Sequence, residues 1–250
     1  MPPKSKNKIK KSEYSSSKKC KQDSCQQDQI KTSSNTTTLK QPLNWPLISI
    51  KSNLQLETIY QNHIVIIPSF FTSKECTNFI NYINSTIPLE SANPSLIPKK
   101  GEAYRDNDRF SIEDIKFSEV LYNSGLNLLV SNWHSTLTKK PVVGLNPNIR
   151  IYKYNIGQKF GQHYDDSVQD CLKRLSEWTL LIYLNGGDNE NEIPLYGGET
   201  VFYKKKGEIV IKPERGMALL HKHGHDCLLH EAKVIKKGFK YVLRSDLMFA

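Results

Sequence analysis

The sequence predicts a mainly β domain with flanking helices, either a barrel or a two-sheet jelly roll, behind a disordered basic N-terminal tail. Three observations carry this. Six short segments rich in β-branched and aromatic residues follow one another after residue 148, separated by glycine-containing or charged turns. The helical patterns come earlier, which places helices on one face of the β core. Residues 1–43 hold ten lysines against Glu13, Asp23 and Asp28, so they carry seven of the ten formal positive charges.

That tail is Lys-, Ser-, Thr-, Asn- and Gln-rich and nearly lacks large apolar residues. It cannot bury enough apolar surface to offset the entropy of ordering, so disorder is expected. The expected organisation is therefore a tail over 1–43 and one folded domain over 44–250. The lysine run from Lys4 to Lys11 fits a nuclear address or a nucleic-acid contact as well as a plain solvated tail. The chain has neither a secretory signal pattern nor an apolar run of ~18 residues, so a membrane span is not expected. Five scattered cysteines, an odd number, argue against a disulfide framework and point to a reducing compartment, cytoplasmic or nuclear.

Along the domain, Ile64–Pro68 reads as a strand ended by proline. Thr72 or Ser73 is a credible N-cap for a helix through about Ser85, with Phe79, Ile80, Tyr82 and Ile83 as its apolar face. A polar loop with Pro94 and Pro98 follows. Ile112 to about Leu129 reads as a second helical region, interrupted by Gly125, with Phe117, Val120, Leu121 and Leu128 as core candidates. The six strands are expected at Asn148–Asn155, Trp178–Asn185, Glu199–Tyr203, Met217–His221, Cys227–Glu231 and Phe239–Phe249. The acidic stretch Gly186–Tyr196 reads as a surface insertion or a lid.

His163 and Asp165 lie two apart, so on a strand both point to one face. A third ligand must come from elsewhere, and His230 ends another expected strand. Two imidazoles and one carboxylate on one side of a metal form the facial arrangement that leaves positions open on Fe(II). A 2-oxo diacid chelating that iron would leave its far carboxylate inside the barrel, where a buried charge must be paired. Lys240 and Arg244 share strand parity and either could meet it. Spacing from His230 favours Lys240, and bidentate geometry favours Arg244. His221, His223 and His225 alternate just before His230; His223 or His225 could compete as a ligand, or the run is a set of partly exposed histidines on one strand face or in a turn.

These residues sit in a longer series: Arg150-Ile151-Tyr152-Lys153-Tyr154-Asn155, Phe160-Gly161-Gln162-His163-Tyr164-Asp165, Thr179 to Asn185, Gly197-Gly198-Glu199-Thr200-Val201-Phe202, Pro213 to Leu220, and His230-Glu231 to Gly238-Phe239-Lys240-Tyr241. In order and spacing the series resembles the prolyl 4-hydroxylase branch of the 2-oxoglutarate/Fe(II)-dependent dioxygenases, over roughly residues 60–249. The resemblance implies a double-stranded β-helix (jelly-roll) core. It implies His163, Asp165 and His230 as catalytic iron ligands and Lys240 as partner of the 2-oxoglutarate C5 carboxylate, with Tyr154 and Thr200 lining that pocket. Fe(II), 2-oxoglutarate as co-substrate and O2 are implied, with ascorbate as reductant, and succinate and CO2 as products. A protein side chain, proline first, is the implied substrate. Asn107 and Arg109 are candidates for holding it, and Arg150 and Tyr152 share strand parity with Tyr154. Two other readings compete: a nucleic-acid-directed oxygenase of the same mechanism, and a catalytically silent barrel acting as a binding module.

Overall fold

The computed structural model describes residues 43–91, 102–170, 173–187 and 193–250. The expected tail, except for Leu43, lies outside the described residues, as do Pro94, Pro98 and the middle of the acidic insertion. Among the described residues no helix is long and apolar enough to cross a membrane.

The first strands form a hairpin, β1 (Glu57–Tyr60) and β2 (Ile64–Ile67), and lead into helix α1 (Ser73–Thr86). Thr72 is its N-cap: the Thr72 side chain accepts from the Glu75 N–H, while the Glu75 carboxylate accepts from the Thr72 N–H. Such a reciprocal cap contributes about 1 kcal/mol. Phe79 and Ile83 are fully buried, with Ile80 and Tyr82 packed at the margin.

The second helical region differs from expectation. Ile112 and Glu113 belong to strand β3 (Asp108–Glu113), and the helix α2 starts only at Ile115 and runs to Leu121. Asp114 sets that start, because its carboxylate accepts from the Phe117 N–H and caps the first turn. A π turn over Tyr122–Leu126 then leads into α3 (Asn127–Val130). Gly125 lies inside the turn at φ 131°, and a Cβ there would collide with the Lys51 carbonyl. This break rotates the apolar face. Phe117 and Leu121 are buried as expected, Val120 and Leu128 are exposed, and Leu126 and Val130 take their places in the core.

The remaining strands are β4 (Val142–Leu145), β5 (Asn148–Tyr154), β6 (Phe160–His163), β7 (Leu175–Tyr183), β8 (Tyr196–Gly197), β9 (Thr200–Tyr203), β10 (Glu208–Ile211), β11 (Ala218–Lys222), β12 (Leu229–Ala232), β13 (Ile235–Lys237) and β14 (Lys240–Phe249). An eight-stranded antiparallel sheet runs β1-β2-β11-β7-β14-β5-β3, with β4 on the far part of β14. A four-stranded sheet runs β10-β9-β12-β6, and β8 pairs with β13. All six expected strands exist, and the two-sheet jelly roll is the observed architecture.

Alternation along the large sheet divides the apolar residues between its two faces. Ile149, Ile151, Leu180, Ile182, Leu220 and Leu243 pack on the helices. Their neighbours Tyr152, Tyr154, Tyr183, Leu219 and Val242 face the small sheet and meet Phe202, Ile211 and Ala232. The second face is the interior of the jelly roll, and the polar residues of interest lie on it.

Candidate metal centre

Strand pairing brings the ligands together. β6 and β12 are adjacent and antiparallel, and His163 stands directly opposite His230 across them. Asp165 lies just past the end of β6, anchored by its carbonyl accepting from the Gly224 N–H. The three residues present ligand atoms all within 4.8 Å of one another.

Each histidine is oriented by its other ring nitrogen. His163 Nδ1 lies 2.8 Å from the Gly161 carbonyl and His230 Nδ1 lies 2.9 Å from the Leu228 carbonyl. A carbonyl only accepts, so the proton belongs on Nδ1 and a bare lone pair remains on Nε2. Those lone pairs face the Asp165 carboxylate at 3.7 Å for His163 and 3.8 Å for His230. Acceptors turned toward an anion form an arrangement that a bound cation relieves, and it is the usual outer-shell geometry of histidine ligands.

The protonation states agree. Burial, then His230, push the His163 pKa down to about 4. Burial also lowers that of His230. For Asp165 burial acts upward, but Arg244 and then His221 outweigh it and hold the carboxyl well below its ordinary range. Neutral imidazoles and an ionised carboxylate are the forms that bind a divalent metal at neutral pH. Thr179 Oγ1 donates to Asp165 Oδ2 at 3.0 Å, and Arg244 reaches both carboxylate oxygens, at 3.2 and 3.0 Å.

His223 and His225 do not compete for the centre, in keeping with the structural reading of the alternating run. His225 is exposed and pairs with Asp226, and His223 is held by Thr179 and Ser176. His221 reaches the centre instead. It is 1% exposed, its Nδ1 lies 3.2 Å from the Lys222 carbonyl, and its Nε2 stands 3.8 Å from Asp165 Oδ2 without a hydrogen-bond partner among the described residues. Cys227 adds a sulfur beside His221 and His230. The signal for His221 was its parity with Leu219 on a strand running into the barrel; an aromatic-like position occupied by histidine gives no motif of its own.

Behind the centre lies a pocket lined by Tyr154, Leu181, Thr200, Lys240 and Val242. Lys240 is 2% exposed, donates to the Gly198 carbonyl at 2.7 Å, and sits over the rings of Tyr154 and Tyr183 at 5.4 and 5.0 Å. It forms no ion pair among the described residues. Gly198 has φ 74°, and a side chain there would strike Ile235 and crowd the Lys240 stem. Burial lowers the Lys240 pKa to about 7, with Glu199 acting weakly the other way. Arg244, by contrast, is engaged by Asp165 and lies 3.5 Å from Asp246. Tyr183 and Thr200 share a hydrogen bond at 2.7 Å.

Of the residues considered for substrate, Tyr152 lines the pocket, and Arg150 stands opposite Arg244 across β5 and β14. Asn107 is fully buried and accepts from Arg105 Nε at 2.8 Å, while Arg109 is exposed on β3. Arg105, which the sequence reading passed over, is the member of that segment that reaches the pocket wall: its guanidinium lies over the rings of Tyr152 and Phe160 at 4.4 and 4.5 Å.

Fold and site together define a jelly-roll domain with a two-histidine, one-carboxylate facial site and a buried cation behind it. Residues 149–245 match the family model of the 2OG-Fe(II) oxygenase superfamily, in keeping with the superfamily resemblance read from the motifs. The fold is similar to the viral collagen prolyl hydroxylase of Paramecium Bursaria Chlorella virus-1, solved with 2OG (TM-score 0.51, 19% identity, 76% of this chain and 98% of that one). It is also similar to a prolyl hydroxylase from Trichoplax adhaerens, solved with a hypoxia inducible factor peptide fragment (TM-score 0.55, 17% identity, 76% and 84%). No curated protein matches the sequence.

Proposed function

We propose that this chain is an Fe(II)- and 2-oxoglutarate-dependent dioxygenase that hydroxylates a protein side chain, proline being the first candidate. The observation that carries the reading is one pocket holding both a ligand-ready His163/Asp165/His230 set and an unpaired buried lysine. The overall conversion takes 2-oxoglutarate, O2 and a C–H bond to succinate, CO2 and a C–OH group. When bound, iron supplies the redox chemistry.

The protein's part in this reading is positional. Gly161 and Leu228 carbonyls fix the tautomers of the two histidines, and Thr179 and Arg244 fix the rotamer of Asp165. Lys240 neutralises the far carboxylate of the co-substrate, and the Tyr154 ring and the Thr200–Tyr183 pair wall its chain. Leu181 and Val242 exclude water.

Succinate release from 2-oxoglutarate, with added Fe(II) and ascorbate, tests the reading. Release from the wild-type chain, with none from Asp165→Ala or His230→Ala variants that still fold, supports it. No release from the wild type would leave a silent barrel. Mass spectrometry of candidate substrates for a gain of about 16 Da, one oxygen atom, then identifies the class of target.

A further inference from the structure

Positive charge gathers around the pocket beyond what the metal and co-substrate use. Arg150 on β5 and Arg244 on β14 are directly opposed cross-strand neighbours, an unfavourable like-charge pairing unless something answers it. Asp246 lies 3.5 Å from each of them. Arg105 joins from the other side. Its backbone bridges Phe160, and Gly161 N–H donates to the Tyr104 carbonyl at 2.7 Å, so the segment is fixed to β6. Its guanidinium lies over the Tyr152 and Phe160 rings, donates a hydrogen bond to the Tyr152 side chain and is held at Nε by the buried Asn107.

Asp106 and Asp108, close to Arg105 along the chain, are committed elsewhere. Asp106 takes the Lys159 N–H and the Tyr104 hydroxyl, and Asp108 takes Asn155. Glu231, which also borders the pocket, pairs with Lys233 at 2.7 Å. Arg105 has no ion pair among the described residues, and its Nη2 is buried without a hydrogen-bond partner. Tyr152, in the middle, titrates low although burial pushes it up, because Arg244, Arg105 and Arg150 outweigh burial.

With a divalent iron and a dianionic co-substrate in place, iron, Asp165, 2-oxoglutarate and Lys240 are neutral together. Arg150 and Arg244 then share one further carboxylate, Asp246, and Arg105 has none among the described residues, which leaves a surplus of two positive charges near the reacting centre. Arg105 is half-buried with its Nη2 unanswered, and a planar guanidinium edge matches a carboxylate.

Building on the dioxygenase reading, we propose that the substrate presents an acidic side chain next to the residue that is hydroxylated, and that Arg105 receives its carboxylate. Arg150 and Arg244 supply the surrounding field. A proline in a neutral sequence would leave the wall unanswered.

The test is fluorescence polarisation on the full chain loaded with Mn(II) and 2-oxoglutarate, which binds without turnover. The probes are three labelled peptides identical except for the residues flanking a central proline: glutamate, glutamine or phosphoserine. The glutamate peptide is expected to bind about tenfold or more tighter than the glutamine peptide. That preference should shrink with salt, vanish in Arg105→Gln, return in part in Arg105→Lys, and persist in Arg174→Gln, which removes a charge that pairs with Asp170 and does not line the pocket. Equal binding of the glutamate and glutamine peptides, or a preference surviving in a folded Arg105→Gln, overturns the proposal. So does a preference shown for phosphoserine alone. Succinate release by the iron-loaded chain is read separately: release without any acidic preference sinks only this proposal, whereas a preference without release sinks the oxygenase reading and leaves an anion site.

Discussion

Raising the pH from 6 to 9 is expected to weaken 2-oxoglutarate binding by about a hundredfold, because the cation that must receive it is only half charged near neutrality. Burial lowers the pKa of Lys240 to about 7 in the empty pocket. A carboxylate arriving at Nζ favours the ammonium form and raises that pKa again. The affinity is therefore complete below pH 7 and declines above it, since binding must first bring a proton to the lysine. The dissociation constant grows by about twofold at pH 7, about tenfold at pH 8 and about a hundredfold at pH 9, the last being about 2.7 kcal/mol. Calorimetry on the Mn(II)-loaded protein reads both the affinity and, by comparing buffers of different ionisation enthalpy, an uptake of about 0.9 proton per 2-oxoglutarate at pH 8. Lys240→Arg keeps a permanent charge and should give a flat profile. Lys240→Met leaves the carboxylate buried and unpaired, a loss of about 3–5 kcal/mol. An equal pH slope in wild type and Lys240→Arg, or no proton uptake, would refute the reasoning.

Three further outcomes follow from buried groups. Without ligand, the ammonium form of Lys240 is disfavoured by the fold, so unfolding stability should rise as the pH goes from about 7 toward the ordinary lysine value of 10.5; a urea titration series shows this, and Lys240→Met should be more stable than wild type at pH 6. His221→Phe removes an unpartnered buried nitrogen facing a carboxylate, and should stabilise the metal-free protein by about 1 kcal/mol; a lower melting temperature counts against the lone-pair assignment. Glu75 and Glu177 each titrate near 2: burial pushes both up, but hydrogen bonds from Ser49 and Thr72 to Glu75, and from Lys222, Ser135 and Thr136 to Glu177, outweigh it. Their stabilising contribution is full above the unfolded value of 4.5 and is lost as the pH falls from there toward 2, so Glu75→Gln should flatten the acid limb of the stability profile.

The strands after residue 148 were legible because each is long enough for alternation to show, and β14 displays both faces, with Lys240, Val242 and Arg244 inward and Tyr241 and Leu243 outward. The triad was legible because His163 and Asp165 lie two residues apart and His230 stands opposite His163 in register; that Asp165 sits just past the end of the strand was not. β3 was lost to a helical reading because Ile112 fits both periods; only the cap at Asp114 separates them. Arg105 was missed in favour of Asn107 for a related reason. A dense polar run names candidates without saying which one turns inward, and here the buried asparagine positions the arginine beside it. His223 and His225 were weighed ahead of His221 because nothing in an alternating histidine run marks where the strand ends and the turn begins.

One physical quantity, low dielectric, acts in opposite ways on the groups of this pocket, and their arrangement depends on it. Burial keeps His163 and His230 neutral, as ligands must be, and the same burial takes Lys240 to the edge of deprotonation, against its role as a counter-ion. Asp165 would follow the same course and protonate, but Arg244 lies at 3.0 Å and outweighs burial. The carboxylate is thereby kept ionised before any metal arrives. Once a metal takes up the Asp165 charge, Arg244 loses much of its partner, and the positive field it shares with Arg150 and Arg105 turns toward the open side of the pocket. Filling the centre and creating the demand for a substrate anion are then one electrostatic event, which predicts that the glutamate-peptide preference is weaker in metal-free protein than in protein carrying Mn(II). An equal preference in both forms would mean that the arginines act independently of the metal.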